Sequence, residues 1–185
     1  MIEKNIFRSK EEIVNLSQEC ELFSESQTLI RQFKLDREIR DPMYITLEDL
    51  NKILAFKLRS QFNRQQKIRE INQEHVLRRV SELAFSIDTG NQQYNDEMKV
   101  KILSALRGVH TATASAILAL VYPTKYAIID RRNWRCLFNS VRYSFNSSDY
   151  VKYINVIRYI ANKFDVLPQT VDIAIWQKDF LRMKT

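Results

Sequence analysis

Apolar residues recur every three or four positions along most of this chain, and the places where that rhythm stops mark its elements. Ile13, Leu16, Leu22, Phe23, Leu29, Ile30 and Phe33 keep helical spacing, so residues 10–40 are predicted as helix until Asp41-Pro42 breaks it. Thr46 and Asp49 stand at the spacing of a capping box, in which each side chain accepts from the other residue's amide. They open "LEDLNKILAFKLRSQF", where Leu47, Leu50, Ile53, Leu54, Leu58 and Phe62 share one face. "VLRRVSELAFSI" repeats the pattern with Val76, Leu77, Val80, Leu83 and Ala84. The polar run over residues 88–96, containing Gly90, is predicted as a loop, with Asp96 capping a helix over residues 97–106. Met98, Ile102, Leu103 and Leu106 face inward from that helix.

A turn at residues 107–110 follows, and the rhythm resumes at Thr111 until Pro123 ends it near residue 122. "TKYAIID" is predicted as extended or irregular, and "RRNWRCLF" as the start of another helix. "SSDYVKYINVIRYIANKF" is a capped helix, and "TVDIAIWQKDFLRM" after Pro168 is the last one. With two glycines and three prolines in 185 residues, the chain lacks the turns of an all-β fold and the glycine-rich loops of a βαβ fold. The fold class is therefore all-α, as one domain or as two small lobes around a cleft.

Charge changes this picture. Residues 1–50 carry 7 Lys/Arg and 11 Asp/Glu, whereas residues 51–185 carry 22 and 11. An acidic N-terminal helical segment, residues 1–42, thus precedes a basic helical domain, residues 43–185. Such a body suits a polyanionic partner, and the acidic segment suits a protein partner; a plain solvated surface is the competing account. The longest apolar run, residues 116–122, falls far short of a membrane span, and "MIEKNIFRSKEEIVN" has charges where an export signal needs an apolar stretch. No membrane association and a cytoplasmic location are expected. Two cysteines, Cys20 and Cys136, and two distant histidines, His75 and His110, supply neither an iron–sulfur cluster nor a zinc site, so neither metal nor cofactor is expected.

Gly108 interrupts two apolar helical stretches, where a tight turn needs a residue that tolerates positive φ. Its amides, with the start of the next helix, would form a donor array for one phosphate, so Arg107, Gly108, Val109, His110, Thr111 and Thr113 are candidate anion-binding residues. An ordinary αα-hairpin with a glycine cap is the alternative. Asp130 follows the apolar Ala127, Ile128 and Ile129, at the edge of a core and in position to cap a helix through the amide of Arg132 or Asn133. Arg131, Arg132 and Arg135 flank it. Trp134 falls one helical turn on, and is a candidate pocket residue together with Lys57, Asn72 and His75. Arg59, Arg64, Lys67 and Arg69 form a second basic cluster among Gln61, Asn63, Gln65 and Gln66.

"ILSALRGVHTATASAILAL" resembles the helix-hairpin-helix of the endonuclease III and base-excision DNA glycosylase superfamily. That pattern is roughly Leu-Pro-Gly-Val-Gly-x-x-Thr-Ala, followed further on by Val-Asp. Leu106, Gly108, Val109, Thr113 and Ala114 fit in register, and "YAIIDRR" places Asp130 at the spacing of the family's catalytic aspartate. The resemblance covers about residues 97–138; the flanks fit as helices of suitable number and order. It implies a glycosylase-like helical fold, double-stranded DNA as partner, and cleavage of the N-glycosidic bond of a flipped base with Asp130 as the catalytic residue. A non-catalytic helix-hairpin-helix DNA-binding module acting with a protein partner is the alternative. Arg107 stands where the family often has proline, and His110 replaces its second glycine. Ala112 occupies the position of the lysine of bifunctional members, so base release without strand cleavage is expected. Among nearby lysines, Lys99 and Lys101 are expected to be solvated on the preceding helix, leaving Lys125 as the one substitute amine.

Overall fold

The computed structural model describes residues 6–184, apart from the side chains of Arg64 and Gln65, and its described residues form helices and no strands. In chain order they are α1 (Lys10–Glu19), α2 (Phe23–Ile39), α3 (Leu47–Leu58), a 3-10 segment (Arg59–Gln65), α4 (Gln66–Arg69), α5 (Glu74–Ser86), α6 (Gln92–Leu103), α7 (Thr111–Val121), α8 (Arg131–Phe138), α9 (Ser147–Phe164) and α10 (Pro168–Arg182). Among the described residues, no helix is long and apolar enough to cross a membrane.

Helix α7 is the hub. Every residue from Thr113 to Val121 is buried, and α2, α3, α6 and α9 pack around it. Ala114, Ser115, Ala116 and Ala119 leave little side chain between backbones, which permits that crowding. The acidic N-terminal helices feed the same hydrophobic core through Ile13, Leu29 and Phe33. Their charge has structural uses there: Asp36 pairs with Arg40, and Arg37 donates to the Val121 carbonyl at the end of α7.

Four boundaries differ from the periodicity. The helix expected over residues 10–40 is two helices, because Cys20 takes extended backbone (φ −73°, ψ 130°). That break lets α1 lie against α10 while α2 turns to α7, which one straight helix could not do. The helix opened by the Thr46–Asp49 capping box ends at Leu58 rather than Phe62, since Arg59 sits at φ +51° and the chain tightens into 3-10 turns. Helix α6 starts four residues before the predicted cap. Asn91 caps it by accepting from the Tyr94 amide, while Asp96 is fully buried in an ion pair with Arg158. A buried, paired carboxylate looks in sequence like a solvent-facing cap. At its other end α6 stops at Leu103, and residues 104–106 already belong to the turn.

Candidate functional site

Gly108 lies at φ +74°, the left-handed conformation that the turn between α6 and α7 requires. The turn is clamped from outside. Asn72 Oδ1 accepts from the Arg107 amide and its Nδ2 donates to the Arg107 carbonyl, both at 2.9 Å. Asn72 is therefore a brace for the hairpin, and not the pocket residue that the sequence suggested. The Val109 amide donates to Leu106 O and its side chain is core, so Val109 offers an anion nothing directly. The first intrahelical bond of α7 runs from Ala114 N to His110 O, and the cap residue His110 makes no side-chain bond to the helix. The amides of Thr111, Ala112 and Thr113 thus lack intrahelical acceptors.

Residues 126–129 carry the chain from α7 to α8 through the core, and each fixed backbone group helps aim Asp130. The Ile129 amide donates to Ser115 Oγ (3.1 Å) and the Ile128 amide to Asp172 Oδ2 (3.0 Å). Tyr153 Oη lies 3.0 Å from the Ile128 carbonyl oxygen. Asp130 emerges from this pinned segment as the N-cap of α8, accepting from the Asn133 amide at 2.9 Å. Its other oxygen is 3.6 Å from Lys57 Nζ, with the two side chains 23 % and 13 % exposed. Both line a cleft of about 760 Å³ that the start of α7, from His110 to Thr113, also lines. Arg131, Arg132, Tyr143 and Trp176 are among its other lining residues.

The structure sorts the other candidates. Arg131 is exposed, stacked on Tyr143, and borders the cleft. Arg132 lies over Trp176 and 3.6 Å from Asp179. Arg135 forks onto the buried Asp179 carboxylate at 2.9 and 2.5 Å, so its charge is neutralised inside the protein rather than offered to a phosphate. Trp134 is core, packed on Phe138 and Phe145 with its indole donating to Ser140. The tryptophan at the cleft is Trp176, which the sequence reading missed because α10 looks uniformly structural. Tyr143 was missed too. It is 79 % exposed in an irregular loop, where periodicity carries no signal. His75 is exposed on α5.

In the second basic cluster Arg59 is paired with Glu25, and Arg69 is buried against Phe62. Lys67 and Asn63 are exposed, Gln61 borders the cleft, and Gln66 donates to Glu70. The side chains of Arg64 and Gln65 lie outside the described residues. Lys99 is not solvated: it is buried and donates to the Phe85 carbonyl. Lys101 pairs with Glu97, and Lys125 is exposed away from the cleft lining. Both cysteines are buried, and burial pushes the Cys20 thiol up to about 11.

A smaller pocket of about 110 Å³ adjoins Asp130 and Lys57 and reaches Gln169, Asp172 and Trp176. Gln169 is 1 % exposed, and neither atom of its amide has a hydrogen-bond partner. Asp172 accepts from Tyr153 Oη (2.7 Å), from the Ile128 amide and from Asn133 Nδ2. Burial nonetheless raises its carboxyl to about 7, with the Asp130 charge adding to the effect. A native pKa above the unfolded value means that the folded state holds a proton the unfolded chain has lost. Stability from this group is therefore full below about pH 4 and is lost as pH rises through about 7. Asp172→Asn, neutral throughout, should melt progressively higher relative to the parent as pH goes from 5 to 8, by a few degrees. A melting-temperature difference flat in pH would show that Asp172 is ionised in the fold across that range.

Comparison of the chain with protein-family models, with curated proteins and with solved structures returns no match.

Proposed function

We propose that this chain is a base-excision, DNA-glycosylase-like protein that binds duplex DNA and cleaves the N-glycosidic bond of a flipped nucleotide. The observation that carries this reading is the cleft itself. Its lining combines the start of a helix with open amides, beside the hairpin, and an anchored carboxylate followed in the chain by Arg131 and Arg132. Open amides and exposed arginine suit phosphates. A fixed carboxylate, part-buried and held by hydrogen bonds, suits the positive charge that grows on the sugar as its bond to the base breaks. The unpartnered amide of Gln169 offers a donor and an acceptor to the edge of a base entering the smaller pocket.

A non-catalytic DNA-binding module needs the hairpin and the basic surface but gives Asp130 no task beyond capping. Asp130 caps α8 and also faces a cleft large enough for a nucleotide, which favours the enzyme. With Ala112 on the hairpin, that helix contributes no amine to the reaction. The deciding experiment is a panel of damaged, mismatched and modified duplexes scored for released base. Release from none of them, with tight duplex binding retained, would favour the module.

Binding to duplex DNA is expected to weaken steadily with salt and to depend little on sequence. The basic residues 51–185 and the hairpin amides meet phosphates, and each phosphate neutralised adds about −0.9 to the slope of log affinity against log salt. Titrations at increasing salt measure it directly. Affinity that is flat from low to moderate salt would remove DNA from the proposal.

A further inference from the structure

The cleft carries more ring surface and more positive charge than one flipped nucleotide uses. Among the described residues, its lining sets the cations Lys57, Arg131 and Arg132 against the single carboxylate of Asp130. Two of its aromatic side chains, Tyr143 and Trp176, come from separate elements, the loop between α8 and α9 and helix α10. Tyr143 is 79 % exposed, and the Arg131 guanidinium lies over its ring, 5.5 Å from the centroid. An exposed tyrosine on its own means little, but this one lines a cleft and holds a cation that has no carboxylate partner among the described residues. Trp176 stacks on Phe180 with centroids 5.4 Å apart and 17° between the planes. Arg132 lies over both rings, at 4.8 and 5.5 Å. Each of the two rings therefore carries a guanidinium from the first turn of α8.

We infer that this cleft takes DNA as an unpaired strand, with neighbouring bases stacked on Tyr143 and Trp176 and the phosphates beside Arg131 and Arg132. This goes beyond the reading above, in which one nucleotide leaves a duplex, and does not depend on bond cleavage at Asp130. When a single base is flipped from a duplex, its neighbours stay in the helix, so one of the two rings meets no base. An unpaired strand presents the π-face of every base, which is what a row of aromatic side chains in a positive groove recognises. A guanidinium over each ring adds to the attraction. Space agrees with this. A cavity of about 150 Å³ encloses one benzene ring, and the cleft, at about 760 Å³, has roughly five times that. Base, sugar and phosphate of one nucleotide fill only part of it, and a second base fits beside them.

The test uses the full chain and fluorescence anisotropy on three DNAs: a mixed-sequence single strand, the same strand annealed to its complement, and that duplex with an unpaired central bubble. The single strand and the bubble are expected to bind more tightly than the full duplex at moderate salt. The margin should widen as salt rises, since each phosphate contact contributes a slope of about −0.7 on a single strand and about −0.9 on a duplex. Tyr143→Ala should weaken single-strand binding roughly tenfold and leave duplex binding nearly unchanged. Tyr143→Phe keeps the ring and should bind like the parent. Tyr143 is exposed in a loop, so its replacement spares the fold. Trp176→Leu should show the same selective loss, and the Tyr143 variants decide if it melts early. Tighter binding to the full duplex across the salt range would overturn the inference, as would a Tyr143→Ala loss that is absent or equal on both forms. Base release from the duplex panel together with tighter duplex binding overturns this inference and leaves the glycosylase reading standing. Preference for the unpaired strand without base release from any DNA supports the inference and overturns that reading.

Discussion

Replacing Asp130 by asparagine is expected to abolish base release while leaving the protein folded and bound to duplex DNA. The asparagine side chain still accepts from the Asn133 amide, so the cap of α8 survives at a cost of a few tenths of a kcal/mol or so. What disappears is the negative charge facing the cleft and, with it, the partner of Lys57 at 3.6 Å. Removing one preorganised stabilising group from an active site lowers turnover by roughly a hundred- to a thousandfold, and a full charge facing a cationic sugar belongs at the upper end. Affinity for DNA should hold or rise, because the substitution deletes a negative charge among phosphate-facing groups. Single-turnover base release and a binding titration on the same duplex separate the two effects. Parent-like release from Asp130→Asn would make the residue a cap and nothing more.

The aim of Asp130 shows which parts of this molecule were legible in the chain. Its acid type, its apolar lead-in and its capping position could all be read locally, as could Gly108, the Thr46–Asp49 box and the all-helical class. These are features of adjacent residues, whose signals survive without a partner. The groups that hold Asp130 in place come from far along the chain. Ser115, Asp172 and Tyr153 reach residues 128–129 from α7, α10 and α9, and nothing in their own neighbourhoods marks them. Asn72 was a candidate pocket residue, and it braces a turn 35 residues away. Arg135 looked like a phosphate contact because its partner Asp179 is 44 residues distant. A charge in sequence carries no record of whether the fold has already neutralised it. Trp134 and Trp176 were told apart only by which side of α8 and α10 faces the core, an orientation set by tertiary packing.

Gly108→Val is expected to destabilise the protein and to weaken DNA binding together. At φ +74° a β-branched residue is strained by about 1–3 kcal/mol, since its Cβ substituents meet the neighbouring backbone. In a chain of this size each kcal/mol lowers the melting temperature by roughly 2–4 °C. The strain has two outlets. If the turn holds its shape, the loss appears in stability alone. If the turn relaxes, Arg107 slips from the Asn72 amide and the open amides of Thr111, Ala112 and Thr113 lose their common aim. The second outlet is favoured, because Asn72 contributes two ordinary hydrogen bonds, each worth about 1 kcal/mol net, less than the upper range of the strain. Asn72→Ala removes that brace without altering φ and should reproduce the affinity loss with a smaller change in melting temperature. Gly108→Asn, which tolerates the left-handed region, should recover most of both. Thermal melts and duplex titrations on the three variants give the ordering. Parent-like stability and affinity in Gly108→Val would mean that the hairpin neither needs its glycine nor contacts the DNA.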